Sequence, residues 1–234
     1  MKVASFADAL AESFVSLKDG VLSPSALERN ARIQELSFYC KRLSTPQIGF
    51  VLNLATSFLE ADEAFVNVGV WEGYSFLAAG VDNAALVVGV DDFSEMNLDR
   101  GAAVGSPGRR YGPTRDNFYR AFETFGEGNT RFFEQDWASF LEHFAELVPG
   151  FSVGSIFYDA DHTQESHRRF FHLVEPLLSA ECVILVDDLR YPFVREASDE
   201  FLLARPNFRR LLEVTVDVPR HPAWWGGFQA LARG

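Results

Sequence analysis

The sequence predicts an α/β protein built on a doubly wound, largely parallel sheet, and three observations carry that reading. Short apolar runs alternate with helix-length amphipathic stretches from Phe65 onward, the pattern left by parallel strands joined through crossover helices. A glycine turn, Gly69 to Gly73, follows the first of those runs. Acidic groups follow four others: Asp91-Asp92, Gln135-Asp136, Asp159-Ala160-Asp161-His162 and Asp187-Asp188. Those are the carboxyl ends of strands, where open α/β sheets bind their ligands.

The N-terminal region reads differently. Phe6, Leu10, Phe14 and Leu17 share one face of a helix expected over Phe6–Lys18 and stopped by Asp19-Gly20. Ser23-Pro24 is an N-cap followed by proline in the first turn, and opens a helix to about Leu43. Thr45-Pro46 repeats that signal for a third helix, with Ile48, Val51, Leu52, Ala55 and Phe58 on one face. Residues 1–45 are thus expected to be helical, without a strand. Their apolar faces must be covered, by capping the active-site end or by forming a homodimer interface. Residues 46–234 form the ligand-binding domain.

Seven strands are expected: Phe65–Val68, Leu86–Val90, a weak Arg131–Glu134, Val153–Tyr158, Cys182–Val186, Leu211–Val216 and Gly227–Ala232. Helices fall between them, ending at Ala79 and over Arg115–Phe125, Trp137–Leu147, Gln164–Leu178 and Tyr191–Ala204. The long connection Phe93–Thr114 reads as a lid or a solvated loop. Its Arg109 and Arg110, with Arg115, are a basic island able to meet an anionic group. Trp224-Trp225 lies between the last two strands, as a pocket wall or as the cap of a hairpin.

Composition narrows the function by exclusion. A net charge of −12, from 33 acidic and 21 basic residues, argues against a nucleic-acid or anionic-membrane partner. Cys40 and Cys182 provide neither a disulfide framework nor zinc spacing. Asp8 and Glu12 interrupt the N-terminal apolar stretch that a signal peptide needs. No apolar run approaches the ~20 residues of a membrane span. The expectation is a cytoplasmic protein.

The spacing of the acids points to an enzyme. Gly69 permits a tight turn and Gly73 a close backbone approach to a ligand. The pattern is Gly-x-x-x-Gly rather than Gly-x-Gly-x-x-Gly, which fits a nicotinamide cofactor poorly. Asp91 lies about twenty residues beyond the turn, placed to accept hydrogen bonds from both hydroxyls of a ribose. Adjacent strands are about 5 Å apart, so Asp159, Asp187 and Asp188 converge and repel unless a cation or protons intervene. Oxygen ligands of this kind select a hard divalent cation, magnesium first. The alternative is that Asp187-Asp188 and Asp161 or Thr163 merely cap the helices that follow. Capping explains one acid at each place but not two.

The glycine turn, Asp91, Gln135-Asp136, Asp159-Ala160-Asp161-His162 and Asp187-Asp188 together resemble class I S-adenosylmethionine-dependent methyltransferases. The likeness is nearest to divalent-metal-dependent O-methyltransferases of small molecules and covers Pro46 to the C-terminus. It implies a Rossmann-like seven-stranded sheet with the last strand antiparallel. It implies that Asn67, Gly69, Gly73 and Ser75 surround the methionine portion of S-adenosylmethionine, Asp91 the ribose, and Gln135 and Asp136 the adenine. Asp159, Asp187 and Asp188 match the metal-holding positions, and Asp161 one assigned as general base; His162 is a second base or an outer ligand. Asn67 stands where the family commonly has an acid, which deprives the cofactor ammonium of an electrostatic partner. The reaction implied is in-line transfer of a methyl group to a hydroxyl of a small molecule. The rivals are a non-catalytic binding module of the same fold, or the same fold with other chemistry.

Overall fold

The structure is a computed structural model that describes residues 1–94 and 114–234. The N-terminal part comprises α1 (Val3–Ser13), a hairpin of β1 (Phe14–Ser16) and β2 (Val21–Leu22), α2 (Pro24–Tyr39) and α3 (Pro46–Ser57). Then follow β3 (Glu63–Val68), α4 (Tyr74–Gly80), β4 (Leu86–Asp91), α5 (Thr114–Phe125) and β5 (Thr130–Glu134). The second half runs α6 (Trp137–Glu142), α7 (Phe144–Leu147), β6 (Ser152–Tyr158), α8 (Gln164–Val174), β7 (Leu178–Asp187), α9 (Pro192–Ala204), β8 (Phe208–Val214) and β9 (Phe228–Arg233). The connection carrying Met96, Arg109 and Arg110 lies outside the described residues.

The seven-stranded sheet has the order β5-β4-β3-β6-β7-β9-β8. The pairs from β5 to β7 are parallel, and β9 runs antiparallel to both neighbours. The expected sheet, with its last strand reversed, is therefore the one observed. Its central strand β3 is buried at every residue because both faces are covered. Phe65, Phe157, Val183 and Leu185 face the layer of α1, α3 and α4, while Val66, Ile156, Tyr158 and Val186 face that of α6, α8 and α9. Strand order reverses between β3 and β6, which makes their carboxyl ends the switch point where a ligand crevice opens.

Among the boundaries that differ from the sequence reading, the strand expected over Leu211–Val216 runs Phe208–Val214 and the helix expected over Trp137–Leu147 breaks at His143; three others have a local reason. The first helix stops at Ser13, and the chain turns into the β1–β2 hairpin, a strand pair that periodicity did not show. Phe14 packs there on Trp224, 5.5 Å between ring centroids, and the Trp224 Nε1–H donates to the Leu17 carbonyl at 2.8 Å. A residue 207 positions away thus draws the segment out of helix. The second helix ends at Tyr39 with Cys40 extended, which frees Lys41–Ser44 to run across the end of the sheet. Pro176 cannot remain inside a helix, so α8 closes in a 3-10 turn over Glu175–Leu177, and β7 begins at Leu178. No helix among the described residues is long and apolar enough to cross a membrane.

Trp224 is fully buried, so Trp224→Phe should keep the packing but leave the Leu17 carbonyl without its donor. The expected loss is about 1–3 kcal/mol, read in a urea titration; an unchanged midpoint would remove Trp224 as the anchor of the hairpin.

Candidate functional site

The site grows out of the switch point. At the end of β3 the chain reverses through Gly69, whose φ is +82°. A Cβ there would lie 2.1 Å from the Asp159 carbonyl oxygen, so only glycine lets the two loops cross. The Gly69 N–H donates to Val90 at 3.0 Å and the Asp159 N–H to Val68 at 2.9 Å, tying three strand ends together. Asp91, at the end of β4, holds the turn itself. Its Oδ2 accepts from the N–H groups of Val70 and Trp71, both at 2.9 Å, and its Oδ1 from Phe93 at 2.8 Å. Burial raises the Asp91 pKa, and these three donors pull against it without cancelling it.

The turn borders a cavity, and the residues expected around the cofactor divide by whether they reach it. Gly69, Ser75 and Asp91 line it. Gly73, at φ +96°, stands behind the turn, where a Cβ would meet the Phe118 ring at 3.2 Å. Asn67 is wholly buried beneath it; its Nδ2 donates to the Gly69 carbonyl at 2.8 Å, and its Oδ1 has no partner among the described residues. Asp136 is exposed and caps α6, accepting from the Ser139 N–H at 2.8 Å. The Gln135 Nε2 is buried without a partner among the described residues. Neither reaches the wall, which at this end is Trp137.

On the opposite side the acids gather, though not as the three expected. Ligand atoms of Asp159, His162 and Asp188 lie within 4.8 Å of one another. His162 Nε2 is 2.5 Å from Asp188 Oδ2 and 3.7 Å from Asp159 Oδ1. Asp187 lies below the cluster, 3% exposed, its Oδ1 accepting from the Asp188 N–H at 2.8 Å. The sequence paired Asp187 with Asp188 because they are adjacent; alternation along β7 turns one inward, and Asp188 leaves the strand at φ +61°. Gly226 packs against that residue so closely that a Cβ would sit 1.9 Å from Asp188 Oδ1.

Helix capping does not account for these acids. Thr163 caps α8, accepting from the Ser166 N–H at 3.1 Å, and α9 has no side-chain cap. Asp161 lies in the turn, where its carbonyl accepts from the Tyr158 hydroxyl at 3.3 Å.

Charge is crowded here. Burial, with Asp188 and Asp91 nearby, pushes Asp159 up to about 6 although His162 opposes it. Burial and the charges of Asp159 and Asp188 raise Asp187 well above the carboxylate range. Burial alone would lower the His162 pKa, but the bonds and charges of Asp159 and Asp188 outweigh it and hold it well above the histidine value. The arrangement can place a proton or a cation between two carboxylates, beside a cavity.

Sequence reasoning missed the wall that completes the cavity. Arg42, Leu43 and Ser44 come from the stretch between α2 and α3, and Tyr74 from the start of α4. No chemical motif marks them; only the Thr45-Pro46 helix start signalled a bend there. The two tryptophans divide, Trp224 into the core and Trp225 onto the cavity.

Comparison with known proteins agrees with this geometry. The family described as "Methyltransferase domain" matches residues 66–189, more than half of the chain. An O-methyltransferase from Bacillus cereus, in complex with SAH, superposes with a TM-score of 0.58 at 16% identity, covering 98% of this chain and 97% of its own. The O-methyltransferase TomG from Streptomyces achromogenes, involved in tomaymycin synthesis and in complex with SAM, gives 0.57 at 15% identity, covering 100% and 98%. Among curated proteins, none matches the sequence. The matched span runs from β3 through the glycine turn and the acid cluster to Leu189, and the chain belongs to the methyltransferase-domain family, as a methyltransferase of the class I, S-adenosylmethionine-dependent type.

Proposed function

We propose that the protein transfers a methyl group from S-adenosylmethionine to a hydroxyl oxygen of a small molecule, with a divalent cation at the acid cluster. The observation that carries the reading is the position of Asp159, His162 and Asp188 on the same cavity as Gly69, Ser75 and Asp91. Asp91 would take the ribose, because it lines the cavity and its Oδ1, which accepts only from Phe93, has acceptor capacity left. Gly69 and Ser75 would border the methionine portion.

Two carboxylates fit a hard divalent cation, with the His162 imidazole beside it. When bound, the cation supplies charge that lowers the pKa of the acceptor hydroxyl. The rest falls to the chain. Asp159 and Asp188 would hold that charge, which would offset the two carboxylates that keep His162 protonated and so free its Nε2 to take the hydroxyl proton. Trp137 and Trp225 would exclude water and align the two substrates, a large contribution in a bimolecular transfer.

The test is methyl transfer from tritiated S-adenosylmethionine to a panel of phenols, sugars and aliphatic alcohols, with magnesium or with chelator. Label on oxygen, lost with chelator, is the expected result. Binding of the methyl donor without transfer to any oxygen would leave a binding module, and transfer indifferent to chelator would remove the cation.

A further inference from the structure

One buried carboxylate has no part in the transfer. Glu72 lies inside the glycine turn, its side chain 3% exposed, and does not line the cavity. Taking a carboxylate out of water is costly unless donors or an opposite charge meet it. Its Oε1 accepts from Asn117 Nδ2 at 3.0 Å and from Lys41 Nζ at 3.4 Å, residues 45 and 31 positions away. Arg120 Nη1 donates to Asn117 Oδ1 at 3.4 Å, which turns the NH2 group of that amide toward Glu72.

The two donors belong to two segments that complete the cavity beside the turn. Lys41 precedes Arg42, Leu43 and Ser44, which line it, and Asn117 stands one turn beyond Thr114 of α5, which lines it as well. The Arg42 guanidinium lies over the Tyr74 ring, 5.9 Å from the centroid and next to Ser75, which places its stretch on the methyl-donor side. The turn beneath is held from the front. Val70 and Trp71 donate to Asp91, and the Gly73 N–H donates to the Val70 carbonyl at 2.8 Å. Glu72 therefore projects backward from a fixed point, and both wall segments fasten to it.

We propose that Glu72 is a positioning residue that presets the walls of the methyl-donor site, holding the stretch after Lys41 and the start of α5 in place without touching the donor. The proposal rests on the methyl-donor reading of the cavity and adds the residue that arranges it. A ligand that meets walls already in place is spared the cost of ordering them. Where only a fraction of molecules has them in place, apparent affinity falls by that fraction. Hydrogen bonds to a charged group are strong enough to change such a fraction on the order of 10-fold.

The test is calorimetry with SAH on the full chain, joined to hydrogen exchange. Glu72→Ala should weaken SAH binding by about 10-fold. Glu72→Gln keeps an acceptor for Asn117 and should stay within about threefold of the wild type. Asn117→Ala should weaken binding several-fold in the wild type and add nothing to Glu72→Ala, because the two residues act as one contact. Amides in the first two turns of α5 should exchange faster in Glu72→Ala and recover their protection when SAH is bound. SAH affinity of Glu72→Ala within about threefold of the wild type overturns the proposal. So do losses in the two single variants that simply multiply in the double variant, which reduce Glu72 to a prop of the turn. Asn117→Ala, which leaves the turn intact, keeps the question open to measurement if Glu72→Ala does not fold: SAH affinity unchanged in that variant also overturns the proposal. A wild type that binds no SAH fails the methyl-donor reading itself and is distinguishable at once.

Discussion

Asp91→Ala is expected to cost about 3–5 kcal/mol of stability, because three N–H groups lose a buried, charged acceptor together. Affinity for the methyl donor should fall in the same variant by more than 10-fold, since Asp91 both shapes the glycine turn and lines the cavity. The two effects separate in Asp91→Asn. Its one carboxamide oxygen can keep part of the Val70 and Trp71 bonds, while its NH2 group faces a donor at Phe93. Asn should therefore recover part of the stability and little of the affinity. Chemical denaturation and calorimetry with SAH check both. A loss below about 1 kcal/mol in Asp91→Ala would mean that the turn holds itself and that Asp91 is only a surface acid.

The second large effect belongs to the acid cluster. A divalent cation should raise the melting temperature by mass action, and Asp188→Asn should remove most of that response while SAH affinity stays within a few-fold. Turnover in Asp188→Asn should fall on the order of 100-fold or more, through loss of the group that holds both the cation and His162. The pH dependence gives an independent check. Folded Asp159 keeps its proton up to about pH 6, whereas an unfolded aspartate releases it near about 4. The folded state binds more protons in that window, so stability falls as pH rises through it. His162 is raised as well. Its contribution is complete below the ordinary histidine value and is lost as pH rises through the higher folded one. With chelator, stability should decline from acid toward neutral and alkaline pH. A cation competes with those protons, so its stabilisation should grow with pH and flatten the decline. Melting curves that coincide with magnesium and with chelator at every pH would leave His162 alone between the two acids.

Much of this arrangement is legible in the chain because it is local. The strongly apolar runs Val153–Tyr158 and Cys182–Val186 are best satisfied by strands covered on both faces, and the structure covers them with two helical layers. Gly69 and Asp91 are marked by position, one in the turn after a strand and the other at the end of the next. Neighbouring parallel strands turn such sequence positions into spatial ones. The reversal of β9 followed from the family resemblance rather than from periodicity, which does not distinguish strand direction.

The members of the acid cluster were decided by tertiary structure. Asp187 and Asp188 are indistinguishable as letters, but pleating buries one, and a left-handed backbone at the other, backed by Gly226, turns it to the cavity. His162 reads in sequence as a base or an outer ligand, and only the fold brackets it between two carboxylates from different strands. The hairpin at Phe14–Leu22 exists because Trp224 bonds and packs there, and Arg42 and Ser44 reach the cavity because α2 ends early. By itself the sequence determined which segments are strands and where along each one chemistry sits, since burial and turn geometry act on neighbours in the chain. Which side chains meet was settled only by packing, since those contacts join residues far apart in sequence and follow from the register and curvature of the whole sheet.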